Sequence, residues 1–155
     1  MEFERIKFNN QTMVLYTVVD MLKRCGRMDM MRMAVLTTLL QDEAIVDLLL
    51  NTGETLNFAN FRVLNKSMMV NINKRFYHTL PLMVNASSIL MDADYMTIKE
   101  GVMILTETER KTAFAEMGAV NSQTAKRIDR ALPRMLSICE EVSTKRMIKL
   151  LNIEV

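Results

Sequence analysis

Residues 67–106, SMMVNINKRFYHTLPLMVNASSILMDADYMTIKEGVMILT, decide the expected fold. Ser67 is a good N-cap, and the apolar spacing behind it predicts a helix ending near His78. Pro81, whose ring pre-sets φ for a first helical turn, opens a second predicted helix to about Met91. The stretch DYMTIKEGVMILT then reads as strand, Glu100-Gly101 turn, strand. Helix, helix, hairpin is the sequence order of a winged helix-turn-helix. The expected fold class is mainly α: a single winged helix-turn-helix-like domain over residues 1–155, with one β-hairpin wing and a long C-terminal helix.

The flanking segments extend that pattern. Asn10 is a suitable N-cap for a helix over 11–25, with Val14, Val18, Met21, Leu22 and Cys25 on one stripe and Gly26 as its stop. Asp29 caps a second helix to about Leu40, and QDEAIVDLLL makes a third with acids at its dipole-favoured start. NTGETLN is a loop, and FANFRVLN reads equally as a short helix or an extended connector. Thr106 or Thr108 begins a helix through ETERKTAFAEM that Gly118 ends.

Asn121 or Ser122 caps the longest predicted helix, over 121–142. Its apolar positions Ala125, Ile128, Leu132, Met135, Cys139 and Val142 repeat at 3, 4, 3, 4, 3, a heptad seam. Pro133 removes the amide that would bond the Asp129 carbonyl, which predicts a bend at 129–133. Ser143 or Thr144 starts an amphipathic tail over 144–155, with Met147, Ile148, Leu150, Leu151 and Ile153 as its apolar residues.

A chain of 155 residues fits one domain with a real core. Its 20 basic and 18 acidic residues leave a net charge of +2, too balanced for composition alone to announce a nucleic-acid binder. Cys25 and Cys139 stand at no motif spacing and are expected as two buried thiols in a reducing compartment. The opening MEFERIKFNNQT has no apolar core of a signal peptide, and no apolar run approaches the ~20 residues of a membrane span. An intracellular, cytoplasmic protein with no membrane partner is expected.

Catalytic chemistry has little to work with. His78 is the sole histidine, with no paired metal-ligand spacing around it. The four glycines are scattered, so no phosphate-cradling loop is encoded. Asp92-Ala93-Asp94 lacks the further ligands of a calcium loop and reads as a helix-ending corner. No enzyme activity, cofactor or metal is expected, and function falls to surfaces.

Two kinds of surface are candidates. Lys126, Arg130 and Arg134 stand at i, i+4, i+8 with Arg127 alongside, a cationic stripe for DNA, for an acidic partner, or simply for solvent. Lys74 and Arg75 are a second basic pair. The segment PLMVNASSILM has no Arg, Lys or Gln to address base edges, so it reads as buried and against sequence-specific DNA contact. The heptad seam either packs on the first helices or receives a partner helix. Among the 16 methionines, those at 28–33 cannot all face inward on one helix, which marks Met30, Met31 and Met33 as candidate adaptable contacts.

In order along the chain, FNNQTMVLYTVVDMLKR, MAVLTTLLQDEAIVDLLL, NINKRFYHTLPLMVNASSILMDADYMTIKEGVMILT and AKRIDRALPRMLSICEEVSTKRMIKLLNIEV carry a further pattern. Their apolar spacing and helix breaks resemble the middle component of bacterial three-component ABC-ATPase systems, including the small subunit of Lamassu-type anti-phage defence complexes. The resemblance implies a non-catalytic adaptor that binds an SMC- or Rad50-like ATPase and links it to an effector such as a nuclease. DNA would then be met indirectly, through the complex. It also implies docking through Phe76, Leu80 and Leu82, through the wing including Met96 and Met103, and through the tail with Met147, Leu150 and Leu151. The alternative role is a stand-alone winged-helix DNA-binding transcriptional regulator.

Overall fold

A computed structural model describes residues 2–51, 56–60, 71–106 and 123–155, with side chains from Asn10 onward. Helix α1 runs Glu2–Cys25. It starts well before the expected cap, so Asn10 is an interior helical residue. Gly26, at φ +76°, stops it and donates its amide to the Leu22 carbonyl at 2.8 Å. Strand β1, Arg27–Asp29, follows at once. Asp29 then caps α2, Met30–Leu40, its carboxylate accepting from Arg32 N at 2.9 Å. Asp42 caps α3, Glu43–Asn51, through the amides of Ala44 and Ile45 at 2.9 and 3.4 Å.

The stretch expected to form a helix pair is one helix. α4 spans Ile72–Asp92 with Pro81 inside it, and no turn separates Thr79 from Leu82. The physical reason lies in where Pro81 sits. It is on the exposed side, so the Tyr77 carbonyl that loses its amide partner faces water rather than core. The break at 79–81, and with it a helix-turn-helix confined to 67–91, is corrected to this single rod. α4 ends in a Schellman motif. Asp94 holds φ 55°, Tyr95 N donates to Leu90 O at 2.9 Å, and Asp94 N to Met91 O at 3.0 Å.

The hairpin forms as expected. β2, Met96–Lys99, pairs antiparallel with β3, Val102–Leu105. Glu100 and Gly101 both take positive φ, as a two-residue hairpin connection of the favoured hand requires. β1 adds to the free edge of β3, giving the sheet order β1-β3-β2 with Met28 opposite Met103. Both methionines point into the core.

Helix α5, Gln123–Cys139, and α6, Thr144–Leu150, close the described chain. α5 stops three residues short of the expected end. There the Arg32 guanidinium from α2 donates to the carbonyls of Cys139 and Val142, the latter at 2.7 Å, completing the frayed last turn. Of the two residues expected to start α6, Ser143 is its cap, and Asn152 at φ 55° ends it in a second Schellman motif, Ile153 N donating to Ile148 O at 3.1 Å.

The core joins all of these elements. α4 lies on α1 and α2, while α5 crosses α3 and α1. The seam residues Ala125, Ile128, Leu132, Met135 and Cys139 are buried inside the chain. Cys139 is a buried thiol, whereas Cys25 is exposed at the end of α1, contrary to the expected pair of buried thiols. Among the described residues, no helix is long and apolar enough to cross a membrane. The Ser67 cap, the helix expected at 106–118, the caps at 121–122 and most of FANFRVLN lie outside the described residues.

Candidate functional site

Between Phe76 and Met91 the chain has no Asp, Glu, Lys or Arg. On α4 those sixteen positions supply two apolar stripes instead of one. The inner stripe, Phe76, Thr79, Met83, Ala86 and Leu90, is buried, and Ile72 extends it toward the helix start. Around the other side, Tyr77 is 47% exposed, Val84 57%, Ile89 43% and Met91 38%. Tyr77, Pro81, Val84, Ser88 and Met91 are spaced 4, 3, 4, 3 and all exposed, so they form a continuous heptad-like ridge. A surface helix ordinarily turns charged residues outward. This one presents an uncharged apolar ridge to solvent, the kind of patch that marks an interaction site.

The edges of the ridge are held in place. The Tyr77 hydroxyl donates to the Glu154 carbonyl, and Glu154 N donates to Asn73 Oδ1 at 2.9 Å, so the C-terminal residues brace one flank. On the other, Gln11 Nε2 of α1 donates to Leu82 O at 2.9 Å and Asn85 Nδ2 to Gln11 Oε1 at 3.4 Å. Phe76 meets the Tyr77 ring edge-on at 5.6 Å, tying the ridge to the core.

The expected cationic stripe is divided. Arg127 pairs with Asp47 of α3, and Arg134 is half-buried; Lys126 and Arg130 remain exposed. Arg75 pairs with Asp42 beside a cleft of about 580 Å³ that Asn10, Gln41, His78 and Thr79 also line. Asp42 and Glu43 on the same rim offset its one guanidinium, so the cleft offers no net attraction for a phosphate. Lys74 is exposed and has no ion pair among the described residues.

Asp129, the acid within the stripe, is half-exposed and joins a charge cluster at the α1–α5 junction. Arg24 Nη2 donates to its carboxylate at 2.8 Å and to its carbonyl at 3.1 Å, while Arg24 Nε donates to Asp20 at 3.3 Å. Pro133 leaves that carbonyl without an intrahelical donor, and the guanidinium supplies one. Burial pushes the Asp20 carboxyl up to about 6, with the Asp129 carboxylate raising it further. Asp129 shifts the other way: its coupling to Asp20 and the Arg24 guanidinium beside it outweigh its own burial and hold it below the ordinary range. As pH falls, Asp20, the deeper member, takes up a proton before Asp129 does.

Most of the residues expected to dock a partner are core. Met33, Phe76, Met96, Met103, Met147 and Leu151 are buried, and their contribution in this fold is packing. That corrects the docking expectation for those six, because an apolar stripe on a helix or strand is turned first to its own chain. Met30, Met31, Leu80, Leu82 and Leu150 are half-buried against the core. The tail docks on its own chain, with Met147, Leu151 and Ile153 in the common core. Tyr77, Val84, Ile89 and Met91 were not anticipated. Two apolar stripes on one rod, with no charge to mark an outer side, were the signal that would have found them.

Comparison of the chain with known protein families, with curated proteins and with solved structures gives no match.

Proposed function

We propose that this protein is a non-catalytic adaptor that works by protein–protein contacts, with the ridge of α4 as one of its docking faces. The single observation that carries this reading is the exposed outer side of α4 between Tyr77 and Met91, which carries no Asp, Glu, Lys or Arg. The element order also suits a winged helix in which α4 occupies the place of the recognition helix. It follows helices, precedes the hairpin, and the first strand closes against the last in the order β1-β3-β2. A DNA-reading winged helix aims basic and amide side chains from that helix into the major groove. Here the corresponding face offers Tyr77, Pro81, Val84, Ser88 and Met91, which suits a protein partner far better than a phosphate track.

An adaptor needs a second face. Exposed cations stand on α5 (Lys126 and Arg130) and separately on α6 (Lys145, Arg146 and Lys149), and the α5 pair is the cationic candidate. Together with the resemblance to middle components of three-component ABC-ATPase systems, the reading is that of a subunit of an SMC- or Rad50-like ATPase complex. The cationic face would meet an acidic surface of the ATPase or DNA that it holds. The test is a titration of fluorescent duplex DNA with the full chain across salt, beside co-purification with an ATPase encoded next to its gene. Expected are DNA affinities no tighter than the ~10⁻⁴–10⁻⁶ M of non-specific binding at physiological salt, and recovery of the ATPase. Sequence-dependent nanomolar DNA binding without recovery of the ATPase would establish the regulator instead.

A further inference from the structure

We infer that the ridge of α4 pairs with the same ridge of a second copy of this chain, antiparallel, about a twofold axis beside Val84. This rests on the reading of α4 as a protein-docking face and names its occupant.

The ridge specifies what fits it. Its partner must carry a complementary apolar stripe at helical spacing over the same length, about 21 Å from Tyr77 to Met91. Charge specifies the ends. Lys74 near the start of α4 and Asp92 at its end are both exposed, and neither has an ion pair among the described residues. They stand eighteen residues apart, which is five full helical turns, so they lie on the same edge of the ridge. A parallel neighbour of identical sequence would set lysine by lysine and aspartate by aspartate. An antiparallel copy sets Lys74 against Asp92 of the second copy on that edge, and twofold symmetry repeats the pair at the other end.

The apolar register centres one residue along, at 84 against the midpoint 83 of Lys74 and Asp92, which leaves a shortfall of about 3 Å that the long lysine side chain spans. Tyr77 and Met91 are symmetric about residue 84, and Pro81 and Ser88 nearly so, while Val84 meets its own copy. Each tyrosine ring then receives a methionine thioether, a favourable contact. The narrow Ser88 opposite the Pro81 ring lets the two helices approach. One helix pair buries less than the ~800 Å² per partner of a standard interface, so the dimer is a weak one, with Kd of about 1–100 µM.

Analytical ultracentrifugation of the full chain across that range tests it. The expected result is a concentration-dependent monomer–dimer equilibrium. Val84→Arg, which sets two cations at the axis, weakens it about a hundredfold with an unchanged far-UV spectrum and Tm, since Val84 is 57% exposed. Lys74→Asp and Asp92→Lys each weaken it, and the double variant, which restores opposite charges across the axis, recovers it. A chain monomeric at ~1 mM overturns the pairing. So does a dimer that Val84→Arg leaves intact, or a double variant no tighter than the single ones. If the chain is monomeric yet Val84→Arg loses the co-purifying ATPase, the docking face stands and only its occupant changes. If that variant also keeps the ATPase, the docking face falls as well.

Discussion

α5 and α4 are the two long amphipathic rods of the C-terminal half, and they settle the fate of their apolar residues in opposite ways. α5 has one apolar side and one side with Lys126, Arg130 and other polar groups, and its seam is buried, mostly against α3 and α1. α4 has an apolar inner side spent on α1 and α2 and a second apolar side left over. Strong contrast between faces commits a helix to its own core, because only one orientation removes the apolar atoms from water without burying charge. Weak contrast leaves a surplus. The regular heptad on α5 therefore marks packing, and the uncharged run on α4 marks a surface.

The sharpest way to break this comparison is to truncate each face. On the inner side, Phe76→Ala should lower stability by about 3–5 kcal/mol, and Leu132→Ala on the α5 seam by about 2–5 kcal/mol. Val84→Ala, on the same helix as Phe76, should stay within about 0.5 kcal/mol. Urea unfolding midpoints read all three. A Val84→Ala loss comparable to that of Phe76→Ala would mean that the outer ridge is packed after all.

The next largest effect belongs to the buried carboxyl that joins α1 to α5. Asp20 has a folded-state pKa of about 6 against an ordinary 3.8. The folded protein thus holds that proton more tightly than the unfolded chain, and stability falls as pH rises from about 4 through 6. Asp129, shifted downward, acts oppositely, and its contribution is lost only as pH drops below the ordinary carboxylate range. Asp20→Asn mimics the protonated acid. It should flatten the decline between pH 4 and 6 and raise stability at pH 7 by on the order of 1–3 kcal/mol, while the loss at low pH persists. Thermal melts of both proteins at pH 4, 5, 6 and 7 decide it, and parallel curves would remove Asp20 as the titrating group.

How much of this was legible follows the same physics. Local chemistry read well. Asp29 is the cap expected, Ser143 is one of the two expected to start its helix, Gly26 stops α1, and Glu100-Gly101 turns the hairpin, since each depends on a few neighbouring atoms. Pro81 read badly, because the penalty of an interior proline depends on whether the freed carbonyl faces core or water, and spacing alone does not say. The addition of β1 to the hairpin was missed, for three residues, Arg27–Asp29, are too short to show an alternation. Six of the eleven expected docking residues are core for a tertiary reason. Phe76, Met103 and Met147 look like contact residues in isolation, yet other elements of the same chain reach them first.

A smaller effect isolates the α1–α5 junction. Arg24→Ala should cost about 1–2 kcal/mol, part of it from the Asp129 carbonyl that Pro133 leaves without an amide donor. Pro133→Ala returns that donor. In the Pro133→Ala background the Arg24→Ala loss should therefore shrink by about 0.5 kcal/mol, a coupling that a double-mutant cycle of urea midpoints resolves only with replicate curves. Strict additivity would mean that water, and not Arg24, serves this carbonyl.

The smallest effect on stability is expected at the cationic face, and its smallness is the informative part. Lys126→Glu with Arg130→Glu alters two exposed side chains on the outer side of α5, so unfolding should move by less than about 0.5 kcal/mol. Arg127 and Arg134 are best left in place, since one pairs with Asp47 and the other is half-buried. The double variant should lose most of its salt-sensitive binding to an acidic partner or to DNA held by one, while self-association through α4 stays unchanged. Val84→Arg should show the converse. Two variants that each abolish one kind of association and spare the other would show that the neutral ridge and the cationic face act independently. A double charge reversal that also dissolved the α4 pairing would merge them into one continuous surface.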